Sequence, residues 1–333
     1  MKWAYCLLVI IALILTPVAS AQVRYVATKI NPPEDAPGLV TAINNNGQVA
    51  GWFYADNGNT HSFLWDSGVA TDISYSNAPE NEAVGINDKT QIVGTIVIND
   101  NRHGYSWQDE VLTDIHPSTF RTSIAVAVNE TGLIVGSARP GDYRHPVVWA
   151  QQDGGVRELR RTVAGITYES GAAFDVNESK QIVGILEDEH EQLPSVATLW
   201  DDGSVVDLGT LSNHSSARSI NDLNQVVGWS EVNGHYHAFF WENGVMSDIG
   251  SIEGKHVYAR DINNRRQIVG FAARPNGNKV VPLIWNMGHQ MQELNPLIDT
   301  PGIRLREVYA INDKGQIIAL GKDLQSYLLT PKP

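Results

Sequence analysis

Two carboxylates, Asp175 and Asp261, and two guanidiniums, Arg218 and Arg260, interrupt segments otherwise built from small side chains in this chain of 333 residues. A carboxylate pair assembled from distant segments is the equipment of glycoside cleavage, one group acting as acid and the other as base or nucleophile. These four residues are therefore the catalytic shortlist for a hydrolase or lyase. A second set has the character of a binding surface. Tyr143, Arg144, Tyr168, His190, Tyr236 and Tyr258 fall in or beside less regular segments, and irregular loops on a rigid frame are where recognition usually resides. Arg139, Arg144, Arg157, Arg160 and Arg161 crowd one region and offer a patch for carboxylate or sulfate groups.

Metal chemistry has one candidate loop. Glu187, Asp188, His190 and Glu191 stand almost side by side and carry ligands for a hard cation, but no glycine turn or alternating aspartate spacing wraps the chain around one. The expectation is a solvated acidic loop, with no metal and no cofactor. His61, His103, His145 and His237 each precede a tryptophan by four residues. Metal ligands must converge within about 2 Å of one ion, and equivalent positions in separate segments do not, so these histidines are read as structural. The G-x-S-x-G, H-E-x-x-H and P-loop patterns are absent, as are the Ser-x-Asp-x-Gly-x-Thr-Trp boxes of sialidase-type propellers.

The elements that position these groups come from an internal repeat. The stretch Ile43-Asn44-Asn45-Asn46-Gly47-Gln48-Val49-Ala50-Gly51 recurs with anchors at Asn87, Asn129, Asn177, Asn221, Asn263 and Asn312, at intervals of 42 to 49 residues. Glutamine follows in six copies, with Leu133 the exception, and glycine closes six, with Ala319 in the seventh. A second block ends at Trp65, Trp107, Trp149, Trp200, Trp241 and Trp285, followed by a turn and an acidic-aliphatic pair such as Asp72-Ile73. Alternating and β-branched runs separated by Asn, Asp and Gly give four short strands per copy, the size of a propeller blade.

The chain is thus read as all-β, a seven-bladed β-propeller of four-stranded blades over residues 22–333. The seventh copy lacks a fourth strand, and residues 25–30 are free to supply it, which ties both ends together and leaves no large edge exposed. Side chains two and four residues before each anchor are mostly small, so strand one is placed innermost, with those residues crowding the axis. The turns between strands one and two and between three and four then share one face. The longer connections, such as 160–170, 186–194 and 295–306, share the other. The motif asparagines are read as turn formers that bond their own backbone. The acids after them (Asp88, Glu130, Glu178, Asp222 and Asp313) could gather a cation, but turns a whole blade apart seldom share an ion, so they are read as turn residues, and the six tryptophans as core.

The Ile-Asn-Asp-x-x-Gln-Val-Val-Gly pattern, together with His237-Ala238-Phe239-Phe240-Trp241-Glu242-Asn243-Gly244, resembles the HAF-repeat family of bacterial exported proteins. Copies four, six and seven depart from it, with Val196, Val281 and Gln325 at the histidine position. The resemblance implies export and a repeat fold. It implies no catalytic residues.

Lys2, an apolar run over 3–15 and Ala19-Ser20-Ala21 give residues 1–21 the form of a cleaved signal peptide. Cys6, the only cysteine, lies within it, so the mature chain would hold no thiol or disulfide and depend on core size for stability. A net charge of −13 argues against nucleic acid and anionic membrane surfaces as partners. No later segment is apolar enough to insert stably in a membrane. The resulting expectation is a secreted or periplasmic binding or scaffold module, acting through irregular loops on one face on a protein or glycan partner in the cell envelope or outside the cell. The alternatives are a hydrolase or lyase at the axial mouth, and a purely structural envelope or matrix component.

Overall fold

The computed structural model describes residues 23–75, 78–150, 155–277, 280–286, 288 and 290–332; the expected leader and Cys6 lie outside them. Seven four-stranded antiparallel sheets succeed one another as propeller blades. Blade one runs outward through Gly38–Ile43, Val49–Tyr54, Thr60–Asp66 and Val69–Asp72. The first strands of the others are Asn81–Ile86, Thr122–Val128, Ser170–Val176, Ser215–Ile220, His256–Ile262 and Leu305–Ile311. Strand one is innermost, because both axial cavities are lined by strand-one residues from many blades. Tyr25–Ile30 pairs antiparallel with Ser326–Pro331 and forms the outer strand of blade seven, Tyr25 opposite Pro331 and Ile30 opposite Ser326. The ring closes as the repeat arithmetic requires.

The apolar core lies between blades rather than within them. At the interface of blades three and four, for example, Val135 and Val148 pack with Ala173, Val176 and Trp200. Motif tryptophans fill these seams against the preceding blade, and the indole N–H groups of Trp149, Trp200 and Trp285 donate to the carbonyls of Ile115, Arg160 and Ile249 there. Trp107 is the exception to the core expectation, being only half-buried. The seventh copy puts the aliphatic Leu329 into its seam instead.

The anchor asparagines do more than form turns. In six of them Oδ1 accepts backbone N–H bonds two and four residues on, as Asn44 does from Asn46 and Gln48; among the described residues Asn177 accepts only the second, from Gln181. The Nδ2 group meanwhile donates to the carbonyl of the next anchor: Asn44 to Asn87, Asn87 to Asn129, Asn129 to Asn177, Asn177 to Asn221, Asn221 to Asn263, Asn263 to Asn312, and Asn312 back to Asn44, at 2.8–3.1 Å. Where the copy has its glutamine, the second Nδ2 hydrogen goes to it, as in Asn221 to Gln225 Oε1 at 2.7 Å. Gln225 in turn donates to Glu242 just after the motif tryptophan. The repeat keeps Asn and Gln because a buried amide is stable only with its hydrogen bonds satisfied.

A second ring lies one residue on. The backbone N–H of Asn45 donates to Asp88, that of Asp88 to Glu130, Glu130 to Glu178, Glu178 to Asp222, Asp222 to Asn264, Asn264 to Asp313, and Asp313 to Asn45. These acids thus act in turns, as read, but on the backbone of the neighbouring blade rather than their own. They converge on one mouth of about 270 Å³, because the turns of all seven blades meet at the axis. Each carboxylate nevertheless serves as a cap for its neighbour's backbone.

The motif histidines behave as read. Nδ1 of His61, His103, His145 and His237 lies 2.7–2.8 Å from Asp72, Asp114, Glu158 and Asp248. A carboxylate can only accept, so Nδ1 carries the proton. Histidine and acidic residue of the repeat are two halves of one contact between strands three and four.

Candidate binding site in the axial channel

Every inner strand carries a β-bulge at the same repeat position. The register slips between Val40 and Ala42, Ala83 and Gly85, Ala125 and Ala127, Ala173 and Asp175, Ala217 and Ser219, Ala259 and Asp261, and Val308 and Ala310. The residue in each slip stands three before the anchor: Thr41, Val84, Val126, Phe174, Arg218, Arg260 or Tyr309. A bulge re-aims the side chain it inserts, and all seven line one chamber of about 310 Å³ on the axis. Residues two before the anchor share that lining. Those four before it, such as Ala83, Ala125 and Ala259, are instead buried in the blades, which corrects the expectation that both sets crowd the axis.

The catalytic shortlist is therefore brought together, since Asp175, Arg218, Arg260 and Asp261 all line this chamber. The two acids are heavily engaged. Asp175 accepts from Val176 N–H at 2.8 Å and, in the next blade, from Ile220 N–H at 2.9 Å. Asp261 accepts from Ile262 N–H, from the Ser219 hydroxyl, and from Ile311 N–H across the next seam at 2.7 Å. They staple inner strands of neighbouring blades. Burial pushes the Asp175 carboxyl up to about 7 against the pull of its backbone hydrogen bonds, and burial raises Asp261 as well.

The arginines are held differently. The Arg218 guanidinium lies 4.4 Å over the Phe174 ring, and that of Arg260 lies 4.6 Å over Tyr309. Arg260 adds one long bond, 3.4 Å, to the Val308 carbonyl. Among the described residues no carboxylate comes within 4.0 Å of either guanidinium. Arg218 is open to the chamber, and burial, then the like charges of Arg260 and Arg144, hold it below its ordinary value. Burial also lowers Arg260, against the opposing influence of Tyr309, Glu307 and Asp261. Arginine stays charged in proteins, so the chamber holds two cations stacked on aromatic faces.

Its two ends differ in chemistry. Toward the turns, Ile43, Ile86 and Val128 line both the chamber and the mouth beyond it, where the five acids gather. Toward the other face, Arg218 has Arg144, Glu187 and Tyr258 within electrostatic reach. An anion approaching through the acidic mouth is repelled; from the loop face it meets Arg144 and Arg218 together with Glu187 and Glu307.

The loop-face residues divide into two clusters. Arg144 pairs with Glu187 at 2.6 Å. Tyr143 sets its ring edge-on to His190, and His190 lies 3.5 Å from Glu169. Asp188 accepts the backbone N–H groups of His190, Gln192 and Leu193, so the acidic loop folds on itself, and among the described residues no group of three or more metal-ligating side chains is placed to hold an ion. Arg161 likewise turns inward, to the carbonyls of Tyr168 and Glu169. Tyr168 is not presented to a ligand at all. It is 4% exposed and packs in the core with Leu186 and Trp200, because an aromatic ring at the foot of a seam gains more from burial than from solvent.

The second cluster holds Tyr236 and Tyr258 as expected, with three partners that sequence reading missed. Trp229 lies 4.4 Å from Tyr236 and 6.4 Å from Tyr258 between ring centroids, Tyr258 stacks on Phe271 at 4.8 Å, and His256 sits 4.6 Å from Tyr236. All are half-buried. Phe174 and Tyr309 were missed as well. The available signal was the position three before the anchor, where the seven copies disagree in chemical type while their neighbours repeat. The connections themselves are less uniform than expected, since blades two and five join strands two and three by tight pairs at Asn99-Asp100 and Asn233-Gly234, with positive φ at both residues.

No protein-family model matches the chain, and no curated protein matches it by sequence. Solved structures do. A puromycin-hydrolyzing peptidase of Mycobacterium tuberculosis superposes with a TM-score of 0.59 at 10% identity, over 90% of this chain and 52% of that one, so the chain spans about half of that protein's length. Oligogalacturonate lyase of Vibrio parahaemolyticus gives 0.56 at 9% identity, over 92% and 91% of the two chains. The β-propeller domain of the Trilobed protease from Pyrococcus furiosus, described as having an open velcro topology, gives 0.54 at 12% identity, over 78% and 84%. These likenesses establish the propeller fold.

Proposed function

We propose that this protein is an exported binding propeller of the HAF-repeat kind that captures an anionic group of its ligand in the axial chamber, entering from the loop face. The observation that carries this reading is the pair Arg218 and Arg260, stacked on Phe174 and Tyr309 with no carboxylate in ion-pair range among the described residues. The two guanidiniums share one chamber and repel each other, and a bound anion offsets that repulsion while supplying the carboxylate-like partner both lack. The fold hosts binders and enzymes alike, but Asp175 and Asp261 already serve as backbone staples, which favours binding over catalysis. The partner would be a protein or glycan of the cell envelope or beyond.

Thermal denaturation with citrate, sulfate and glucuronate tests the proposal. A ligand that binds only the folded state adds about 2.7 kcal/mol at a hundredfold excess over its Kd. The expected result is a midpoint raised by at least one anion and less so as salt increases, with the effect lost in the Arg218→Val, Arg260→Val double variant. Val84 and Val126 occupy the same bulge position in blades two and three, so valine fits this backbone. An equal shift in the double variant refutes the chamber as the site.

A hydrolase or lyase is the second reading. It is favoured by one observation, the convergence of all four shortlisted side chains on one cavity. It predicts turnover of whichever anion binds, abolished in Asp175→Asn.

A further inference from the structure

Resting on that reading, we infer that the anion belongs to an acidic saccharide, whose carboxylate reaches Arg218 while its sugar ring lies on the Trp229–Tyr236–Tyr258 platform between blades five and six. The platform adjoins the chamber along the inner strands: Tyr258 stands two residues before Arg260 on His256–Ile262, and Trp229 pairs with Ser216, two residues before Arg218. Tyr258 of blade six is within electrostatic reach of Arg218, stacks at 26° on Phe271, and stands 5.7 Å from Tyr236 and 6.4 Å from Trp229 between ring centroids. Tyr236 is locked in place because its backbone N–H donates to His256 Nδ1 at 2.9 Å.

The chemistry of these rings selects the ligand. Half-buried aromatic faces accept the C–H face of a pyranose, while phenol, indole and imidazole edges at their rims offer donors and acceptors to its hydroxyls. A compact anion such as phosphate would be satisfied by the guanidiniums and leave the platform unused. An acidic peptide has no flat face for these three neighbouring rings. A uronate has both parts within one residue, a carboxylate on a six-membered ring, and matches a cation beside an aromatic floor.

Calorimetric titration of the protein with trigalacturonate, maltotriose and triglutamate separates these possibilities. Trigalacturonate is expected to bind, with affinity falling about tenfold or more in Arg218→Val and in Trp229→Ser, and with maltotriose giving no measurable heat. Ser137 stands at the position of Trp229 in blade three, so serine suits the strand, and unchanged melting of the variants verifies their folding. If triglutamate binds as tightly as trigalacturonate and Trp229→Ser leaves both unaltered, the saccharide assignment falls while the anion chamber stands. If neither anion binds, or Arg218→Val changes nothing, the chamber reading falls and the saccharide with it.

Discussion

The side-chain amide of Asn312 donates to the backbone carbonyl of Asn44 at 2.9 Å across a sequence separation of 268 residues, and this bond is geometrically the same as the six that join successive blades. The propeller therefore has no weak seam at the axis, although its ends meet in blade seven. Removing one such asparagine strands a buried carbonyl and two turn N–H groups, a loss of about 2–4 kcal/mol. Asn312→Ala and Asn221→Ala, which remove the same four bonds, are expected to lower urea stability equally, since a closed ring makes no distinction between the junction and the middle. A markedly smaller cost at Asn312 would show that the ring is open in solution.

The motif glycines are demanded by the bulges. A Cβ on Gly184 would meet the carbonyl oxygen of Ala172 at 2.0 Å, and backbone cannot yield as a flexible side chain does. Blade seven, where Ala319 replaces the glycine, is the one whose inner strand shows a second register shift, between Leu305 and Glu307. Gly184→Ala is expected to cost about 3 kcal/mol or more, whereas Ala319→Gly, which only trims a methyl, costs about 1 kcal/mol. Denaturant midpoints of the two variants check this asymmetry.

These two features mark where the sequence was legible. Repeat count, strand order and closure by residues 25–30 follow from spacing and hydrophobic pattern, which are local and periodic. The turn role of Asn44 was readable for the same reason, since its Oδ1 partners are two and four residues away. Its Nδ2 partner belongs to the next blade, beyond any local pattern. The chamber wall was hidden by the bulge. Strict alternation assigns the residues two and four before the anchor to one side, and a single inserted residue brings Phe174 and Tyr309 to the axis beside the arginines that their charge had already marked. Tyr168 was misjudged because sequence marks a loop without telling which of its side chains folds back into the core.

Stability should depend on pH through Asp175. Its folded carboxyl is pushed up to about 7, mainly by burial, from an unfolded value of about 3.9. Between these values the native state holds a proton that the unfolded chain has released, so stability falls as pH rises through the window and levels off above it. Asp261 is shifted in the same direction and adds to the trend. Melting midpoints from pH 5 to 8 are expected to decline less steeply in Asp175→Asn than in the parent protein. Parallel profiles would mean that Asp175 is ionised throughout.

Blade seven offers a sharper test of closure. Tyr25 opens the N-terminal strand, is fully buried among Val269, Leu294 and Leu329, and has its carbonyl bound by the N–H of Asp299 at 2.8 Å. Its hydroxyl meets no partner among the described residues, and burial pushes the phenol up to about 12. An unsatisfied buried hydroxyl destabilises, by about 1–3 kcal/mol, while the ring contributes roughly 3–5 kcal/mol of packing. Tyr25→Phe should therefore match or exceed the parent in thermal stability, and Tyr25→Ala should lose several kcal/mol. If Tyr25→Ala were neutral, the N-terminal strand would not be seated in blade seven, and the propeller would stand open at that edge.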